Sequence, residues 1–153
     1  MLDDEIEEAA KEIANRARAE ENDRFRLARE FVEANDLIEL NVMGALNSNL
    51  AFYDGLRSGG ALPPEMTQDQ ILNEVWAQEE EIRDNTIEWV YAFVMLAYQP
   101  LAPADLQAFT AFSETDAGQQ RNQALFEAFE RRFLEISRSL GAAAAEEMTT
   151  QEL

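Results

Sequence analysis

Apolar residues recur at intervals of three and four along nearly the whole chain, and no useful stretch alternates with period two. That pattern predicts an all-α protein. A first helix over residues 3–20 carries Leu2, Ile6, Ala9/Ala10, Ile13 and Ala17 on one stripe. Asn22 and Asp23 read as the cap of a second helix bearing Phe25, Ala28, Phe31 and Val32; no Pro or Gly decides whether the two are continuous. A third, over 37–56, aligns Ile38, Val42, Ala45/Leu46, Leu50, Tyr53 and Leu56, and Gly59-Gly60 ends it. Residues 58–66 make the one strong break in the chain. Thr67 and Gln70 fit a capping box, opening a helix with Ile71, Leu72, Val75, Trp76 and Ile82 that bends near Asp84-Asn85 and continues to Ala97. Its last segment, 86–97, is apolar on every side, as expected of a buried central helix. Pro103 suits the first position of a short helix holding Leu106, Phe109 and Phe112. After a turn at 113–118, the last helix runs over 116–145. From Phe126 its apolar residues (Phe129, Phe133, Ile136, Leu140) are spaced 3, 4, 3, 4, a seam suited to a bundle or to a second copy. The expected fold is a compact bundle of about six helices in one domain, 1–145, with a frayed acidic tail, 146–153.

Composition narrows the function more than the fold. In 153 residues there are 31 Asp plus Glu against 12 Lys plus Arg, a net charge of −19, with no His, no Cys and a single Lys, Lys11. Disulfides, Cys/His zinc sites, Fe–S clusters and His- or Cys-based catalysis are thereby excluded. So acidic a chain repels nucleic-acid phosphates and has few cations with which to release counterions. The acids are spread along the chain, 13 against 6 bases in residues 1–40, 9 against 2 in 41–97 and 9 against 4 in 98–153. The even spread describes a solvated acidic surface rather than a tail. The longest apolar run, Trp89 to Tyr98, has ten residues, half of a membrane span. The acidic start at Met1 is unlike a signal peptide; a targeting segment would lie upstream.

The stretch from Tyr98 to Phe133 resembles the bacterial family described as domain of unknown function 2059. Asp105-Leu106 opens the short helix, Phe112-Ser113 follows, and Thr115-Asp116-Ala117-Gly118-Gln119 matches the family's turn into its long helix, with Ser113 where the family carries an aromatic residue. Residues 29–41 and 74–79 look like exported proteins of marine alphaproteobacteria that carry this domain at the C-terminus. The resemblance implies a helical fold, a periplasmic location and an origin as the C-terminal part of an exported protein; it implies no activity. The same residues also read as a helical hairpin, with Thr115 and Asp116 capping the last helix, Gly118 letting two helices touch, and Leu106, Phe109 and Phe112 buried against Phe126 and Phe129.

Candidate chemistry is sparse. The acid runs Asp3-Asp4-Glu5-x-Glu7-Glu8 and Glu79-Glu80-Glu81 would suit a hard cation, but neighbours on a helix diverge by about 100°, which favours a solvated face and no metal site. With so many acids, a carboxylate pair of the glycosidase kind arises by coincidence; Glu88, beside Trp89, is the acid most suited to partial burial. Asn41, Asn47 and Asn49 sit in an apolar helix and need hydrogen-bond partners, and Gly44 would allow another helix close. Asn41 and Asn49 together with Trp89 and Phe93 are the candidate lining of a pocket for a small apolar ligand. Phe126, Phe129 and Phe133 are the candidate interface. Three readings follow. The first is a non-catalytic interaction or assembly module of the bacterial envelope, binding a protein partner or itself. The second is a carrier or sensor of a small apolar ligand. The third is a carboxylate-dependent hydrolase. The first ranks highest, with no cofactor, no catalytic residue and no enzyme activity expected.

Overall fold

A computed structural model describes residues 4–20 and 22–151. These form seven helices: α1 (Asp4–Ala19), α2 (Asp23–Ala34), α3 (Leu37–Ser58), α4 (Gln68–Trp76), α5 (Glu79–Ala97), α6 (Pro103–Ser113) and α7 (Asp116–Gln151). No strand occurs among the described residues, so the protein is all-α. Leu2, Asp3 and the last two residues of the expected tail lie outside the described residues.

The count is seven rather than about six because Ala77 and Gln78 separate α4 from α5, while α5 is one unbroken helical segment across Asp84-Asn85, where a bend was expected. At the break the Gln78 amide bonds three residues back, to the Val75 carbonyl at 3.2 Å. Its side chain donates to the Glu74 carbonyl at 3.0 Å. The tail differs too. α7 continues to Gln151, with Ala145 fully buried and Thr150 donating its hydroxyl to the Glu146 carbonyl at 2.7 Å. The expected caps are present. The Asn22 side chain accepts from the Phe25 amide at 2.8 Å, Thr67 and Gln70 form the capping box, and Pro103 opens α6. Gly60, at φ +79, lets the chain turn out of α3.

The chain groups into two compact units. One takes the residues up to Leu40 and Arg83–Ala124; the other takes Asn41–Ile82 and the chain from Leu125. In the first unit, α2 lies against α6 and α1. Its core joins Ala10, Ala14 and Ala17 of α1 to Phe25, Ala28, Phe31 and Val32 of α2, Val90 and Val94 of α5 and Leu106 of α6. Phe31 sits 5.0 Å from the Tyr98 ring and 5.1 Å from that of Phe109. The Arg24 guanidinium donates to the Leu101 carbonyl at 2.8 Å and to that of Tyr98, tying α2 to the loop before α6.

The α2–α3 corner, where Asp36 takes φ 50, is fastened from α7. Buried Asn35 donates to the Phe31 carbonyl at 2.9 Å, and buried Asn122 donates to the Asn35 carbonyl at 2.9 Å. Gln119 donates to the carbonyls of Ala34 at 3.0 Å and Ser113 at 2.6 Å. The hairpin reading of the α6–α7 turn is met at Gly118: its amide donates to the Thr115 hydroxyl at 3.1 Å, and a Cβ there would strike the Phe112 carbonyl oxygen. The hydrophobic partners differ from expectation. Leu106 and Phe109 join the core of their own unit, while Phe112 and Phe129 stay exposed. The Arg121 guanidinium covers the rings of Phe109 and Phe112 at 5.1 and 5.0 Å.

Segment 86–97 is not buried all round. Val90, Ala92, Val94 and Met95 are buried and Tyr91 half-buried, which at 100° per residue covers about 200° of the helix. Trp89 and Phe93 project from the remaining side, 43% and 44% exposed. Their rings stack on each other at 5.5 Å and hide part of their own surface, so no further helix has to cover them.

The second unit rests on an approach of backbone to backbone. A Cβ on Gly55 of α3 would overlap the Arg138 carbonyl oxygen and come within 2.8 Å of the Ala142 nitrogen; one on Gly141 of α7 would overlap the Phe52 carbonyl oxygen; one on Gly59 would overlap the Ala145 methyl. Val42, Leu46, Ala51 and Leu56 of α3 are buried with Ile71 and Val75 of α4. Gly44, expected to permit close contact, has no atom within 4 Å of where its Cβ would be.

Two predictions follow from this packing. Gly55→Ala and Gly141→Ala lower stability by about 1–3 kcal/mol through overpacking, whereas Gly44→Ala leaves it unchanged or raises it by about 0.5–1 kcal/mol through helix propensity; thermal melts of the three variants check this. The second concerns pH. Burial holds the phenols of Tyr91 and Tyr98 above their ordinary value of 10.0. A phenol with a raised folded pKa contributes stability that is complete below the unfolded value and lost as pH rises through the folded one. The melting temperature therefore drops above pH 10, and tyrosinate absorbance rises later in the folded chain than in the denatured one. In the acid range the sign reverses. The hydrogen bonds from Arg83, one at 2.9 Å, hold the Glu39 carboxyl below its ordinary value, and that contribution is lost as pH falls through the lowered value.

Candidate functional site

The feature with most capacity to act is the outer face of α7. Its length comes from a run of good helix formers between the Thr115 cap and Gln151, with no Pro to interrupt it. Gly141 and Ala145 turn one face to α3, and Glu130 on that side accepts from the Asn47 amide at 2.7 Å. Helical spacing then turns Leu125, Phe129, Phe133, Ile136 and Leu140 outward, where each is 51 to 60% exposed. Phe129 and Phe133 touch, with ring centroids 6.5 Å apart. Of the three residues expected at an interface, Phe129 and Phe133 belong to this row, while Phe126, two turns before Phe133 and on the edge of the stripe nearer Glu130 and Gly141, is half-buried. Leu125 extends the row, a residue outside the 3-4-3-4 pattern. On the open flank, Arg132 and Glu135 form an exposed ion pair at 3.0 Å, worth little to stability where it stands.

The four residues expected to line an apolar pocket fall in different units. Trp89 and Phe93 come together in the first, as an exposed stack. Asn41 and Asn49 are in the second, where the Asn49 amide donates to the Gln78 side chain at 2.9 Å. A groove of about 270 Å³ does occur in the first unit, beside α1, and includes Ile13, Arg16, Ala17, Met95 and Leu96 in its lining. None of the four residues lines it. Every buried side-chain nitrogen and oxygen among the described residues has a partner, so no orphaned polar group points to a ligand.

Glu88 is exposed. Among the described residues no three acids come together in a way that would hold a metal ion; much of the first acid run lies outside the described side chains. No helix among the described residues is long and apolar enough to cross a membrane.

A scan against protein-family models, a search of curated proteins and a search of solved structures each find no match to this chain.

Proposed function

We propose that this chain is a non-catalytic interaction module that works through the outer face of α7. One observation carries the reading: five large apolar side chains, Leu125, Phe129, Phe133, Ile136 and Leu140, lie in a continuous row on one helix, each more than half exposed. At ~200 Å² for a large apolar side chain, that row leaves roughly 500 Å² of contiguous oily surface, the size at which patches on soluble proteins mark interaction sites. A chain of net charge −19 pays nothing in solubility for one such row elsewhere on an acidic surface. We place the module in the bacterial envelope on the resemblance of Asp105-Leu106, Phe112-Ser113 and Thr115–Gln119 to the family of domain of unknown function 2059, and we read its helices as a bundle.

The carrier and hydrolase readings draw less support. Trp89 and Phe93 stack on an open side of α5, and the groove beside α1 mixes Arg16, Glu20 and Arg24 with its apolar residues.

The test separates folding from association. Phe133→Glu changes an exposed side chain, so the unfolding free energy stays within about 0.5 kcal/mol of wild type. A photoreactive amino acid at Ile136, in cells making the protein, is expected to give a covalent protein adduct that Phe133→Glu abolishes. Absence of any adduct, or an adduct indifferent to Phe133→Glu, overturns the proposal.

A further inference from the structure

We infer that the α7 face is covered by a second copy of this chain, its α7 running antiparallel about a two-fold axis near Phe133. The inference rests on the interaction reading above and names its partner. Three observations support it.

The first is size. Two copies facing each other bury about 1,000 Å² of total surface from this row, the lower bound of specific interfaces. That suits a self-association weak enough to depend on concentration.

The second is charge. Residues 125–140 hold three acids, Glu127, Glu130 and Glu135, and three bases, Arg131, Arg132 and Arg138. This stretch is locally neutral in a chain of net charge −19. Two identical polyanions repel over most of their surfaces, and the repulsion is least where the contact itself carries no net charge.

The third is self-complementarity. When two helices run antiparallel, like flanks meet. An axis near Phe133 sets Phe133 against the partner's Phe133, Leu125 against the partner's Leu140, and Phe129 against the partner's Ile136. On the open flank it brings Arg132 opposite the partner's Glu135, and the reverse. The two side chains already lie at the right height on that flank, 3.0 Å apart within one chain. A parallel arrangement in register would set each flank against the opposite edge of its partner and lose this exchange. The antiparallel one also opposes the helix dipoles.

The chain has no Cys, so introduced ones report position without background. Under mild oxidation Phe133→Cys alone is expected to give a disulfide-linked dimer. Leu125→Cys alone and Leu140→Cys alone stay monomeric, because an antiparallel axis holds their copies more than ~20 Å apart at 1.5 Å per residue. The Leu125→Cys/Leu140→Cys double variant links. Unmodified protein in the ultracentrifuge is expected to move from one chain mass to two as concentration rises. The shift occurs at lower concentration in high salt, which screens the repulsion between the two chains. A single chain mass at every concentration and salt overturns the inference, and so does efficient linking of Leu125→Cys alone, the mark of a parallel pair. An adduct at Ile136 to a different protein, with this chain monomeric, overturns the self-association while leaving the interaction module standing.

Discussion

The approach of α3 and α7 at Gly55 and Gly141 is the constraint on which the second unit depends. A helix packs through side chains at interaxial distances of 8–10 Å in the ordinary case. Here the Arg138 and Phe52 carbonyls stand where a Cβ would go on the facing helix, so the two backbones are in direct contact. That contact sets the rotation of α7 about its own axis. With Gly141 and Ala145 turned to α3, the large residues at 125, 129, 133, 136 and 140 have one direction left, outward. The small residues that hold the helix in place and the large ones it exposes are two consequences of one orientation.

The first unit is held differently. Its helices meet through aromatic rings and alanines, and its sharpest corner is fastened by amides. The α2–α3 junction leaves backbone carbonyls at a helix end, which cost free energy when buried without a donor. Asn35, Gln119 and Asn122 supply the donors. Polar residues in an apolar stripe, Asn122 above all, are therefore joints of the fold. Ionic contributions are slight by comparison. The ion pairs at Arg26, Arg29 and Arg132 are exposed neighbours on single helices, and exposed pairs contribute about 0–1 kcal/mol each.

Much of the helical layout was legible in advance because it is written locally. Asn22, Thr67 with Gln70, Pro103 and Gly60 act within three or four residues of where they stand, by satisfying or omitting single backbone bonds, and each does what its type and position imply. The break at Ala77-Gln78 carries no such mark, since neither Gly nor Pro is there, and so one helix was expected where two exist. The candidate site was legible in part. Phe129 and Phe133 were singled out by spacing, whereas Leu125 stood off the heptad pattern and Phe126 on it, because a 3-4-3-4 count names a stripe without naming the edge that faces inward.

Composition and period by themselves determined that this protein is all-α, strongly acidic, and without the residues that thiol, imidazole or disulfide chemistry requires. Tertiary structure alone decided which apolar residues are covered. Trp89 and Phe93 read as buried and are open; Gly44 read as a contact and faces space; Gly55 and Gly141, unremarked in the pattern, are where two helices meet. The reason is physical: a side chain's hydrophobicity states what it gains from burial, but whether it is buried depends on the rotation of its helix, and that is set by atoms distant in the chain.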